Sequence, residues 1–337
     1  MRFDKQKKES IKAYIISKIS EDIDNIPEYV SNALEINKST VYRYINEMVD
    51  EGLIAKIPDG SFAVISNDNI IMLSRSKNEL TDESEITGKY ISQYYHDFSD
   101  NIVHIWEYTL SEMINNVIDH SGAEHLKITV RRDPVNTTVT LEDDGVGIFR
   151  KISGFLGCSE EDAIVELMKG KLTTDSVNHS GEGIFFTARM LDEFYIISGG
   201  RVFSCNECDT DEVLSMNGES PVGTKMVMKL SNNSPKQISR VFDEYASVDG
   251  GFFKTSLPLG NIYPNGPVSR SQAKRLCHRL EEFSDVILDF AGVAWMGQGF
   301  AHQLFRVYTA THPEVRLEPV NMCDSVRKMY EHVMAVG

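Results

Sequence analysis

Nowhere in its 337 residues does the chain approach a run of 18 apolar residues, so a membrane-spanning helix of ordinary length is excluded. The opening MRFDKQKKESIKAYIISKIS interrupts its apolar positions with charges at helical spacing, leaves no continuous hydrophobic leader, and predicts a cytoplasmic location with no membrane partner. Cysteine is scarce. Five thiols, an odd number, suit a reducing compartment better than a disulfide framework. Cys205 and Cys208 form one C-x-x-C, but the second pair needed by a four-ligand zinc site is missing. Basic charge is short as well: 34 Lys and Arg stand against 50 Asp and Glu, a net charge of −16 that argues against a generally nucleic-acid-binding surface. There is no internal repeat and no low-complexity tract.

What is present is an ordinary globular composition, 41% hydrophobic, in a chain long enough for two or three domains. The acid excess is uneven. Residues 1–81 carry 11 basic and 13 acidic side chains, residues 82–255 carry 15 and 29, and residues 256–337 carry 8 and 8. Nearly all the surplus therefore falls in the middle of the chain, while the first 18 residues hold six basic and two acidic groups.

Residues 1–66 read as three short helices and a hairpin. Ile11, Ile15, Ile16 and Ile19 recur at helical spacing, Pro27 opens a second amphipathic stretch, and Asn37 or Ser39 caps a third over Thr40–Glu51 that Gly52 ends. Two short apolar runs then flank Asp59-Gly60, a hairpin signal. This order resembles a winged helix-turn-helix domain. The resemblance implies DNA as a partner, with Lys38, Ser39, Thr40, Tyr42 and Arg43 entering the major groove and Lys5, Lys7, Lys8 and Lys12 reaching backbone phosphates.

Residues 67–94 are polar and read as a linker. From 95 to 254 the pattern is α+β: a long helix to about His120, strands in KITVRR and TTVTLED, helices at Ser159–Lys169 and Gly183–Asp192, and strands in EFYIISGGRVFSC and GTKMVMKL. Four short motifs lie along it. In EMINNVIDHS, Glu112, Asn116 and Asp119 at i, i+4 and i+7 share a helix face. In LEDDGVGI, Asp143 or Asp144 can accept hydrogen bonds from an exocyclic amine, while Gly145 and Gly147 let backbone approach a flat ring. HSGEGIFF sets Gly181 and Gly183 at a helix start, where free amides suit phosphate oxygens. Gly223-Thr224-Lys225 enters a strand and brings a hydroxyl with it.

In this order the four motifs resemble the N box, two glycine boxes and Gly-Thr motif of the GHKL ATPases, the superfamily of gyrase, heat-shock chaperone ATPases, histidine kinases and mismatch-repair ATPases. The resemblance implies an α/β sandwich with a mixed, mainly antiparallel sheet, binding ATP and Mg²⁺. By position it makes Asn116 the metal ligand, Glu112 the general base and Asp143 the reader of adenine, with Gly147 behind the base, Thr224 helping through water, and Gly181 and Gly183 facing the phosphates. It also implies that a homodimer is among the assemblies to expect. About thirty residues between the glycine boxes should form a lid. The lid's end resembles that of the anti-sigma factor serine kinases, with Thr173, Thr174 and Asp175 before Ser180-Gly181, so a serine/threonine protein kinase is the alternative to an ATPase. Lys169, Lys171 and His179 read as solvated lid residues, with phosphate contact as the other possibility.

Residues 255–337 alternate strand and helix: a helix at Gln272–Phe283, a strand at Val286–Phe290, a helix at Gly299–Thr309, a strand at Val315–Asn321 and a helix at Ser325–Val333. VILDFAGVAWMGQGFAHQLFRVY resembles STAS-like domains, the class of the anti-anti-sigma factors, which implies a protein partner. Those proteins carry a phosphorylatable Asp-Ser pair at the start of the following helix. Here that place reads Met296-Gly297-Gln298-Gly299, so no phosphoacceptor is carried over.

Overall fold

The computed structural model describes residues 4–21, 23–172, 181–206, 208–218, 222–247 and 251–335. The lid residues Thr173, Thr174, Asp175 and His179 lie outside the described residues. No helix among the described residues is long and apolar enough to cross a membrane.

The N-terminal unit is built as its periodicity requires. Helices Lys5–Ser20, Ile26–Ala33 and Lys38–Asp50 bury Ile15, Val30, Val41 and Ile45 completely against one another, and this small core is separate from that of the rest of the chain. The hairpin follows, with β1 (Ile54–Lys56) antiparallel to β2 (Phe62–Val64). Between them Asp59 accepts hydrogen bonds from the Ser61 amide (2.8 Å) and hydroxyl (2.6 Å), an Asx turn that closes the loop.

The central unit is a six-stranded, wholly antiparallel sheet in the order β3-β4-β5-β8-β6-β7. Its strands are β3 (Asn67–Ser74), β4 (His125–Arg132), β5 (Asn136–Asp143), β6 (Glu193–Ser198), β7 (Arg201–Phe203) and β8 (Thr224–Ser231). One face is apolar by strict alternation: Leu126, Ile128 and Val130 on β4, Val139 and Leu141 on β5, and Met226 and Met228 on β8 are all buried. Helices Asp100–Asn116, Gly183–Met190 and Ile238–Tyr245 belong to the same apolar core. The linker expected at 67–94 is regular structure over much of its length, with turns and bends at 75–82. Its first eight residues form edge strand β3, tied to β4 by a two-pronged Arg131–Asp68 ion pair (2.8 and 2.7 Å). Among the described residues the expected mixture of strand directions is found between the sheets and not within the central one.

The second, parallel sheet holds β9 (Lys254–Pro258), β10 (Asp285–Asp289) and β11 (Arg316–Val320) in the order β11-β10-β9. Helix Arg270–Cys277 crosses from β9 to β10, the helical run beginning at Gln298–His302 crosses from β10 to β11, and Asp324–Ala335 closes the chain. Central and C-terminal units share one continuous hydrophobic core from Leu73 to Val333.

Candidate functional site

The inward alternation of β5 ends on a carboxylate. Val139, Leu141 and Asp143 point to the same face, so Asp143 stands where the apolar layer stops and is only 7% exposed. Strand pairing sets Thr224, the first residue of β8, directly opposite it. The Asp143 carboxylate accepts the Gly145 amide at 2.8 Å and the Thr224 amide. Burial pushes its carboxyl up to about 6, those two donors pull it down, and the neighbouring Asp144 adds to the rise. Asp144 is spent elsewhere, accepting the amides of Glu124 (2.9 Å) and His125 (2.8 Å) and the His125 Nδ1 (2.7 Å). Of the two acids left open by the motif, Asp143 faces the cavity and Asp144 ties down a loop.

That cavity has a volume of about 270 Å³. Glu112 and Asn116 enter it from the Asp100–Asn116 helix, Asp143, Gly147 and Thr224 from the sheet side, and Gly181 and Gly183 from the start of the Gly183–Met190 helix. The Thr224 Oγ1 accepts the Ile148 amide (3.1 Å), which leaves its hydroxyl proton free to donate.

An added side chain would be crowded at three of the glycines. Gly147, at φ 83°, would place a Cβ 2.7 Å from the Ser198 hydroxyl, and Gly181, at φ 73°, would place one 2.6 Å from the Leu172 carbonyl carbon. Gly183 would drive a Cβ to 2.0 Å from Glu112 Oε2. That neighbour is the movable end of a side chain, so Gly183→Ala should fold and displace Glu112. If Glu112 has the general-base role that the motif resemblance implies, phosphate release should fall by about 100-fold or more, with the unfolding midpoint in urea shifted only slightly.

Two expected site residues stand apart. Asp119 is exposed and does not line the cavity, because the helix widens into a π turn at Val117–Ser121 and the i, i+7 phase is lost. His120 and Ser121 face the cavity in its place. Gly145 lies behind the lining; a Cβ there would come within 2.3 Å of the Ser121 carbonyl oxygen. Residues that sequence reasoning missed include Lys151, on the Ile148–Leu156 helix where lid was expected, and Met226, which the alternation from Thr224 predicts. Lys151 donates to the His120 carbonyl (2.7 Å), and burial lowers its pKa. The arrangement can accept an amine at Asp143, hold a hard cation through an amide oxygen at Asn116 and take a proton at Glu112.

In the N-terminal unit Ser39, Tyr42 and Arg43 are exposed on the Lys38–Asp50 helix, with Arg43 also stacked 4.9 Å from the Tyr44 ring centre. Thr40 belongs to the buried stripe with Val41 and Tyr44, so it cannot enter a groove. Lys38 pairs with Glu28, Lys8 with Glu47 (2.8 Å), and Lys12 with Glu51 (2.7 Å) and Glu47 (3.4 Å). Three of these cations are thus paired with the unit's own acids.

The five cysteines are free thiols, and no cluster of three or more His, Cys, Asp or Glu suited to a metal occurs among the described residues. Residues 272–327 match the family model of a STAS-like domain of unknown function (DUF4325), from within helix Arg270–Cys277 to the start of the last helix. The C-terminal unit is therefore STAS-like. No curated protein matches the chain.

Proposed function

We propose that the chain is an ATP-binding regulatory protein of the GHKL superfamily, in which a winged helix and a STAS-like domain flank a nucleotide site that hydrolyses ATP slowly. One observation carries the reading: residues from four separate motifs, Glu112 and Asn116, Asp143 and Gly147, Gly181 and Gly183, and Thr224, line a single cavity at the end of the sheet. The fit is chemical as well. A carboxylate buried at the end of an apolar face is costly unless a donor meets it, and an adenine amine is such a donor. The glycines keep the opposite wall free of side chains, as a phosphate-binding backbone requires.

In this reading Asp143 accepts the exocyclic amine of the base, and the Thr224 hydroxyl donates beside it. Asn116 would supply a protein oxygen to Mg²⁺, which would offset the charge of the phosphates. Glu112, one turn earlier on the same helix, takes the proton from the attacking water. Bound Mg-ATP supplies the phosphoanhydride bond. The exposed Ser39, Tyr42 and Arg43 are the surface through which the winged helix would meet DNA.

Calorimetric titration of the pure chain with Mg-ATP tests the claim. Binding is expected for the unsubstituted chain and for Glu112→Ala, which should lose turnover, and a loss of about tenfold or more is expected for Asn116→Ala, the scale on which removing a metal contact acts. Absence of binding, or equal binding by Asn116→Ala, would sink the nucleotide reading. Radiolabelled γ-phosphate recovered on a protein serine, not as free phosphate, would replace slow hydrolysis by the kinase alternative.

A further inference from the structure

Seven residues have two duties. The stretch from Glu166 to Leu172 gives Leu167 and Leu172 to the wall of the cavity, and the Leu172 backbone is what fixes the approach of Gly181. The same stretch is bolted to the STAS-like unit. Glu166, 4% exposed, accepts Lys169 Nζ at 2.7 Å, His278 Nδ1 at 3.1 Å and Arg279 Nη1 at 3.5 Å. Lys169, 1% exposed, donates to the His278 carbonyl as well, while its own carbonyl accepts the buried Thr255 hydroxyl at 2.8 Å. Arg279 Nη2 donates to the Lys171 carbonyl (2.8 Å), and Lys171 Nζ donates to the Glu282 carbonyl (2.7 Å).

The backbone leaves little slack. Gly170 sits at φ 82°, where a Cβ would meet Phe252 at 2.6 Å and Phe185 at 3.1 Å, and Lys171 and Arg279 are both left-handed, at φ 55° and 59°. Buried ionic groups tolerate the loss of a partner poorly. A shift of residues 277–283 therefore drags Leu167 and Leu172 with it, since packed interiors move as units and do not stretch.

We propose that the 277–283 loop of the STAS-like unit sets the affinity of the cavity for its nucleotide, with Arg279, Glu166 and Lys169 as positioning residues. The proposal rests on the nucleotide reading of the cavity. Coupling is reciprocal, so occupancy of the cavity alters residues 277–283 in return. Whatever docks on the STAS-like unit and moves this loop then tunes nucleotide affinity, and nucleotide tunes docking.

Two measurements on the full chain decide it, with Mg²⁺ and a non-hydrolysable ATP analogue as probe. Arg279→Ala should weaken analogue binding by about tenfold, within the usual range of coupling between linked sites, whereas Arg316→Ala, an exposed residue elsewhere in the same unit, should not change it. Amide hydrogen exchange on the unsubstituted chain should show altered protection at 277–283 when the analogue is added. This second experiment needs no variant and decides the matter if Arg279→Ala fails to fold. Protection confined to residues 143–152, with 277–283 unchanged, overturns the coupling while leaving the nucleotide reading intact. Failure of the unsubstituted chain to bind the analogue overturns both.

Discussion

Asp143→Asn is expected to weaken nucleotide binding by about 100-fold and, at pH 7, to make the empty protein more stable. The first effect follows from polarity. An ionised carboxylate accepts a charge-assisted hydrogen bond from an amine, and an asparagine either accepts a weaker one or turns a second donor toward the first, a difference of about 3 kcal/mol. The second follows from burial. The Asp143 carboxyl is pushed up to about 6 from 3.8, so between those values the folded protein holds a proton that the unfolded chain has lost. Stability therefore falls as pH rises through this window, and at pH 7 the folded state carries the full penalty, of order 3 kcal/mol. Asparagine escapes it. We expect a gain of about 1–3 kcal/mol at pH 7 that disappears below pH 4, read from urea unfolding curves at the two pH values. Nucleotide affinity of the unsubstituted chain should fall about tenfold from pH 7 to 5 as Asp143 protonates. A variant that binds normally, or an empty protein destabilised at pH 7, would show that Asp143 is a structural acid. Under the proposed nucleotide reading, function and stability pull in opposite directions at Asp143.

The parts of the site that sequence made legible were those where an element boundary and a residue type coincide. Asp143 closes an alternating strand, Gly183 opens a helix and Thr224 opens a strand. The element boundaries follow from periods of 2.0 and 3.6 residues, the roles follow from the resemblance of the four motifs, and strand pairing sets Thr224 opposite Asp143. Asp119 escaped because the period itself changes: the helix goes over to a π turn at Val117, and extrapolating 3.6 residues per turn past that point selects the wrong face. Thr40 failed for a simpler reason, since a threonine beside Val41 packs as readily as it binds.

Edge strand β3 was hidden by its composition. Asn67, Asp68 and Asn69 read as loop, and the Arg131 partner that ties Asp68 to β4 lies 63 residues away. Lys169 is the strongest case. By sequence it is a lysine at a helix end, normally solvated, yet it is 1% exposed because Glu166 and the His278 carbonyl, 109 residues on, enclose its ammonium. No local pattern encodes a contact between two units. In the N-terminal unit Ser39, Tyr42 and Arg43 are exposed, while Lys8, Lys12 and Lys38 meet acids on other elements that spacing along one helix does not reveal.

The largest loss of stability is expected from Gly223→Ala. Gly223 is held at φ 77°, a conformation that costs an alanine about 1 kcal/mol or somewhat more. Gly122, at φ 65°, pays the same toll but has nothing within 4 Å of a built Cβ, so Gly122→Ala isolates the backbone cost. At Gly223 the new methyl would lie 1.9 Å from the Asp143 carbonyl oxygen and 3.0 Å from the Asp144 Cα. Neither can swing aside as a side chain does. They belong to the end of β5, whose pairing with β8 sets Asp143 opposite Thr224, and the Gly223 carbonyl also accepts the Ser198 hydroxyl at 2.7 Å. Relief therefore requires β5 and β8 to part at the site, with a cost of about 4 kcal/mol, in the tail that only core disruption reaches. In urea, Gly122→Ala should shift the unfolding midpoint modestly and Gly223→Ala severely, with nucleotide binding lost only in the second. Equal shifts would mean that the β5–β8 junction is softer than its contacts imply, and the placement of Asp143 beside Thr224 would then owe nothing to the glycine between them and the loop.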